Sequence, residues 1–247
     1  MLFSDLQTIL SSSSWQTASQ NEIEQLVVDS RKLFLPETSL FIAIKGKNHD
    51  GHNFIAELYE KGVRNFIIEN EKSVEPFQKA INYIVVKNAI KALQKIATHH
   101  RTQFDIPVIA ITGSNGKTIV KEWLSQLLQD DLSIVKSPKS YNSQIGVPLS
   151  VWQMRKEHEL AIFEAGISQT GEMKNLQEIV QPTVGVFINL GTSHDEGFDN
   201  REEKLEEKLL LFKNCPILYI YEGIATNYPK IIEKFQKKNS HTQIITW

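Results

Sequence analysis

Apolar positions along this chain alternate between two rhythms, and the changes of rhythm fall at Gly, Pro, Asn and Asp. The runs LVVDSRKLF at 26–34 and LFIAIK at 40–45 predict strands, followed by the polar loop GKNHDGHN. Helical spacing at 54–61, a strand at 63–68, a strand near 83–86 and a helix over 89–102 complete a small α/β unit. After Pro107 a second pattern begins. Strands are predicted at 108–112, 133–136, 160–164, 184–189, 217–221 and 243–246, and helices at 117–128, 145–154, 171–179, 201–212 and 226–237. The runs VIAIT and VGVFIN have no polar alternation, which predicts strands buried on both faces of a parallel sheet. Alternating β and α units of this length predict a doubly wound architecture.

Composition narrows the chemistry. The 247 residues are 41% hydrophobic and 23% charged, an ordinary globular balance. Lys plus Arg is 27 against 29 Asp plus Glu, a net charge of -2. Such a chain has no global field to attract nucleic acid or an anionic membrane, so phosphate binding must be local. Cys215 is the single cysteine, which excludes an intramolecular disulfide and fits a reducing compartment. The first twenty residues lack the basic start and apolar run of a signal peptide, and no apolar stretch approaches 18 residues. The expectation is a cytoplasmic protein without membrane insertion.

Local motifs supply the candidates. ITGSNGKT at 111–118 follows a buried strand and opens a helix, so Gly113, Ser114, Asn115 and Gly116 can turn backbone N–H groups toward a phosphate. Lys117 supplies a point charge, and the Thr118 hydroxyl can ligate Mg²⁺. The long form of this motif has a glycine five residues before Gly116, where Ile111 stands here, so the loop is a shortened variant. Glu164 and His194 follow predicted strand ends and project to the ligand edge of such a sheet. Glu164 suits either a Mg²⁺ ligand or a solvated strand end, and His194 by itself carries no preference. REEKLEEK at 201–208 has the look of a solvated charged helix, yet it places like charges four apart. Lys208 lies at the edge of its apolar stripe, where burial yields a neutral amine, while snorkelling leaves an ordinary lysine. In the small unit, Ser30, Arg31, Lys45, Gly46, His49, Asp50 and His52 lie in two donor-rich loops that suit either a diphosphate ligand or plain turns. His49 and His52 lack the supporting ligand spacing of a zinc site. His99 and His100 are expected to be exposed, and Trp15, Trp123 and Trp152 to be packing residues.

Taken together, these residues resemble the Mur ligase family, and within it the branch that adds D-alanyl-D-alanine to UDP-MurNAc-tripeptide. The resemblance rests on DSRKLFLPETSLFIAIKGKNHDGHNFI, GSNGKTIVKEW, YNSQIGVPLSVWQM, FEAGISQTGEM and NLGTSHDEGF, and runs densely from Val28 to Phe212. It implies an α/β fold with a UDP-sugar-binding domain over 1–103 and a P-loop ATPase-type domain over 104–247, without a counterpart of the family's third domain. It further implies ATP on Lys117, Mg²⁺ on Thr118, Glu164 and His194, and a carbamoylated Lys208 serving a second Mg²⁺. Ser30, Arg31, Lys45, Gly46, His49, Asp50 and His52 would hold the UDP-sugar, with Asn142, Ser143 and Gln144 between it and ATP. Ser143 and Gln144 stand where related sequences often have Asn and Asp. Catalysis would fall to Lys117, Lys208 and His194, through an acyl phosphate on the tripeptide. The sequence is also similar to the ligase half of fused ligase–alanine racemase polypeptides. The rival readings are a MurE-like or folylpolyglutamate synthetase-like ligase, a P-loop phosphotransferase or GTPase, and a module that only binds UDP-sugar. No N-K-x-D guanine motif supports the GTPase.

Overall fold

Strands buried on both faces need neighbours on both faces, and the apolar runs of the first hundred residues meet that need by pairing in parallel. The computed structural model describes residues 1–12, 14–191 and 195–247. The chain divides into two units, Met1–His99 and His100–Trp247. The first unit contains α1 (Phe3–Leu10), β1 (Trp15–Gln16), β2 (Gln25–Val27), β3 (Ser39–Ile42), α2 (Ile55–Glu60), β4 (Asn65–Ile68), β5 (Asn82–Val85) and most of α3 (Ala89–Arg101). Its sheet runs β1-β5-β4-β3-β2, with only β1 antiparallel to its neighbour. Val27, Phe41, Leu58, Val63, Phe66 and Ile68 form the centre of its core.

The first two long predicted strands are shorter than expected. β2 stops at Val27 because the Asp29 carboxylate accepts the Arg31 N–H and turns the chain into a single 3-10 turn, Ser30–Lys32. β3 ends at Ile42, and a bridge between Lys45 and Asp50 closes the polar loop. Neither α1 nor the 3-10 stretch Glu71–Ala80 is anticipated from the sequence pattern.

The second unit alternates strictly: β6 (Val108–Thr112), α4 (Lys117–Leu128), β7 (Ile134–Lys136), α5 (Gly146–Val151), β8 (Leu160–Glu164), α6 (Glu172–Val180), β9 (Val184–Phe187) and α7 (Arg201–Leu209). β10 (Ile217–Ile220), α8 (Glu222–Asn227), α9 (Pro229–Lys238) and β11 (Gln243–Thr246) follow. The sheet order is β11-β10-β9-β6-β8-β7, and every pairing is parallel. The predicted helix at 226–237 is two helices, because Pro229 starts α9 after a break at Tyr228. α7 ends at Leu209 and continues as one 3-10 turn.

β6 lies at the centre, with β8 and β7 on one side and the later strands β9, β10 and β11 on the other. The strand order therefore reverses around the carboxyl end of β6, which is where open α/β sheets bind ligands. In register, Ile111 sits beside Glu164 and Thr112 beside Phe187. Ile111, Leu160 and Ile162 pack under Val120, Leu124 and Leu128 of α4, which seats the start of that helix against the strand. Among the described residues no helix is long and apolar enough to cross a membrane.

Candidate functional site

The loop between β6 and α4 is shaped by two glycines with φ of +155° and +82°, Gly113 and Gly116. Both values lie in the left-handed half of backbone space, which side chains with a Cβ resist. Gly113 also has no room for one, since a Cβ there would stand 3.3 Å from Asn189 N. α4 begins at Lys117, so its unsatisfied N–H groups and positive dipole end face the loop. The Lys117 ammonium folds back onto the Gly113 carbonyl at 2.8 Å. Burial lowers its pKa, Glu164 opposes that shift, and Lys204 adds to it.

Glu164 closes β8 and is fully buried. The Thr118 hydroxyl donates to its Oε2 at 3.1 Å, and Ser140 Oγ lies 3.1 Å from the same hydroxyl. Its Oε1 accepts no hydrogen bond, the only such buried side-chain polar atom among the described residues. Lys121 Nζ stands 3.0 Å from Oε1 as an ion pair, while it also donates to the carbonyls of Ser137 (2.8 Å) and Lys139 (2.5 Å) and lies 3.0 Å from Glu122 Oε1. A buried carboxyl oxygen that accepts no hydrogen bond suits a hard cation, and a carboxyl beside a hydroxyl is an oxygen donor set of the Mg²⁺ kind. These residues fit a metal brought in with a polyphosphate. His194 lies outside the described residues.

The spacing of REEKLEEK has a physical cause in this arrangement. Glu203 and Glu207 face the start of α6, where Glu207 Oε1 accepts from Gly171 N and Met173 N at 3.0 and 2.9 Å, and Thr170 donates to Glu203. Lys204 and Lys208 face the phosphate loop instead: Lys204 donates to the Gly191 carbonyl at 2.8 Å, and Lys208 Nζ lies 3.5 Å from the Gly113 carbonyl. Like charges four apart thus serve two different neighbours. The helix is not a solvated one, because Lys204, Glu207 and Lys208 are all buried. Burial, with Lys117 and then Lys204 adding to it, lowers the Lys208 pKa to about 7.

Asn142, Ser143 and Gln144 line the approach to β8. Asn142 O accepts from Gly166 N, Ser143 Oγ accepts from Gly146 N, and Gln144 Nε2 donates to Glu172 O. In the first unit, Arg31 makes a two-point contact with Asp29 at 2.9 and 2.8 Å, which holds that carboxyl down at about 2. Ser30 shares the same turn. Asp50 caps the turn Gly51–Phe54 through His52 N and contacts His52 Nδ1 at 2.6 Å, while His52 Nε2 accepts from Glu69 N. Both ring nitrogens of His52 are therefore engaged within the fold. Lys45, Gly46 and His49 remain exposed, with Gly46 N bonded to His49 O.

Two expectations are corrected. His100 is buried, bonded through Nε2 to Met154 O and set against Trp152, while His99 is exposed as expected. Trp152 does pack, but Trp123 is 63% exposed and Trp15 44%. Lys121, Lys204 and Asn189 escaped the sequence reading. Lys121 stands one turn beyond Lys117 in GKTIVK, a position on the loop side of α4 that periodicity marks; nothing local marks the other two.

Comparison with known proteins agrees with this arrangement. Residues 111–246 match a family model described as the Mur ligase middle domain, and residues 22–114 match one described as Mur ligase family, catalytic domain. The curated UDP-N-acetylmuramoyl-tripeptide–D-alanyl-D-alanine ligase of Rickettsia prowazekii is 37% identical over 71% of this chain and 38% of its own length. That of Bacillus subtilis is 34% identical over 77% of the chain and 41% of its own. Crystal structure I of MurF from Acinetobacter baumannii has a TM-score of 0.83 at 27% identity, covering 98% of this chain and 52% of that one. MurF ligase from Thermotoga maritima in complex with ADP has a TM-score of 0.75 at 28% identity, covering 90% and 50%. The chain thus spans about half the length of the solved structures it matches, and less of the curated relatives. With the middle-domain match covering more than half of its residues, the chain belongs to the Mur ligase family.

Proposed function

We propose that this chain carries the ATP-binding and UDP-sugar-binding parts of an ATP-dependent amide ligase that joins D-alanyl-D-alanine to UDP-MurNAc-tripeptide. The observation that carries the reading is the convergence of Lys117, Thr118, Glu164 and Lys208 on the switch point of a parallel sheet. The names of the relatives at 34–37% identity support the substrates, and the ADP complex at 28% identity supports the nucleotide.

In this reading the α4 N-terminus and Lys117 bind the ATP phosphates, and they hold negative charge in place as the γ-phosphoryl group passes to the tripeptide carboxylate. The amine of D-alanyl-D-alanine then attacks the acyl phosphate and phosphate leaves. Thr118, Glu164 and His194 would hold Mg²⁺, which would supply charge neutralisation for the transfer. Burial shifts Lys208 toward the neutral amine that CO₂ addition requires, and a carbamate there would offer a carboxylate to a second Mg²⁺. Ser30, Arg31 and residues 45–52 hold the diphosphate of the UDP-sugar, with Asn142, Ser143 and Gln144 toward the acceptor. The functional domains divide at 103/104, four residues beyond the boundary of the two compact units, and the protein works in the cytoplasm.

The test is phosphate release from ATP by the purified chain, with UDP-MurNAc-tripeptide supplied with and without D-alanyl-D-alanine, alongside equilibrium binding of ATP. Release that depends on both substrates is the expected result, and Lys117→Ala abolishes ATP binding and release together. Accumulation of a phosphorylated acceptor without ligation overturns the ligase in favour of a phosphotransferase. The partial coverage of the relatives favours a second reading, a piece that binds without turning over. Tight binding of both nucleotides with no release under any condition identifies it.

A further inference from the structure

We infer that Asn189 is the positioning residue of the phosphate loop, setting its backbone for the nucleotide before any nucleotide arrives. The inference rests on the nucleotide reading above. Asn189 follows β9, and its side-chain amide grips two successive loop residues. Oδ1 accepts from Ser114 N at 3.0 Å and from Asn115 N at 3.1 Å, while Nδ2 donates to Asn115 O at 3.1 Å. The Asn189 carbonyl also accepts from Ser114 N at 3.2 Å. The contact is braced from behind: Gly191 N donates to Ser114 Oγ, Ser114 Oγ donates to Gly191 O, and Lys204 donates to the same carbonyl.

The shortened loop needs such a brace. It is flanked by Gly113 and Gly116, the two residues with most backbone freedom to lose. Ser114 and Asn115 precede α4, so the helix offers their N–H groups nothing. Two successive N–H groups turned the same way form an anion-binding concavity. Asn189 fills it with a neutral oxygen, which leaves the N–H groups at the start of α4 to face the phosphates. A carboxamide supplies a separate acceptor oxygen and donor nitrogen, side by side, at the end of a short side chain. Leucine matches its shape with neither, and aspartate keeps the acceptor, loses the donor and adds a charge.

The experiment measures ADP–Mg²⁺ and adenosine binding by calorimetry well below the unfolding temperature, together with amide hydrogen exchange at Ser114 and Asn115 without ligand. Asn189→Leu is expected to weaken ADP binding by about 10- to 100-fold. Adenosine affinity stays unchanged, because the loop addresses phosphate alone, and both amides lose protection. Asn189→Asp carries the same test if the leucine variant does not fold. Its weakening persists at high salt, where the added charge is screened but the missing donor is not. A merely structural role lowers the unfolding temperature and leaves the ADP affinity of the folded protein as it was. That result overturns the proposal, as does tighter ADP binding, which makes Asn189 a competitor for the concavity. Failure of the unaltered chain to bind ADP, with both amides protected, overturns the nucleotide reading itself and takes the positioning role with it.

Discussion

At Lys208 the balance between burial and charge has a measurable pH dependence. Its pKa falls from an ordinary 10.5 to about 7, chiefly through burial and then through Lys117 and Lys204. Between pH 7 and 10.5 the unfolded chain therefore holds a proton that the folded chain lacks, so this group's contribution to stability rises with pH across that window. Below about pH 7 both states are protonated and the full destabilisation remains. Lys208→Met, measured by thermal unfolding in CO₂-free buffer, is expected to raise the melting temperature most at pH 6, with the gain shrinking toward pH 10. An equal gain at both ends would remove the case for a neutral amine. The residue also marks a limit of reading sequence. Apolar neighbours three and four away place Lys208 at the edge of a buried stripe, but Lys204 has mainly polar ones and carries no such mark. Lys204 is buried by the loop ending at Gly191, a partner 13 residues away that helical periodicity does not contain. Lys117 was legible because the motif holds its partners Gly113 and Ser114 within four residues, and Thr118 because the motif itself places a hydroxyl next to that lysine.

At the scale of elements, α7 joins two parts of the site. One acidic face caps α6 through Glu207, and one basic face meets the phosphate loop through Lys204 and Lys208. Truncating Glu207 to Ala leaves Gly171 N and Met173 N without an acceptor in a buried place, and is expected to cost about 1–3 kcal/mol in denaturant unfolding. Glu207→Gln keeps an acceptor oxygen and should recover most of that loss; if both variants unfold alike, the carboxylate is not acting as a cap. The elements themselves were largely legible. Strands β6, β8 and β11 and helix α4 fall at the predicted residues, because continuous apolar runs and Gly-Lys-Thr punctuation leave few alternatives. The misses have local causes: Asp29 ends β2 early through its own side chain, and Pro229 breaks a helix whose apolar spacing continues across it. α1 has Leu2 at its N-cap, which cannot cap with its own side chain, and is held instead by Asp5, whose carboxylate accepts from Leu2 N.

The whole molecule consists of two units, each with its own sheet and its own buried cluster. The first holds the donor-rich loops around Arg31 and Asp50, and the second holds the phosphate loop. A ligand that binds only the folded form of one unit stabilises that unit by mass action, about 2.7 kcal/mol at a hundred times its dissociation constant. Scanning calorimetry of the chain is therefore expected to resolve two transitions. ADP with Mg²⁺ raises the one that Lys117→Ala no longer lets it raise, and UDP-MurNAc-tripeptide raises the other, whose response Arg31→Ala reduces. The Lys117 variant leaves the response to the uridine ligand intact, since Lys117 makes its contacts within the second unit. A single transition that both ligands raise equally would mean that the units unfold as one block. Two separate responses would mean that each sheet carries its own ligand.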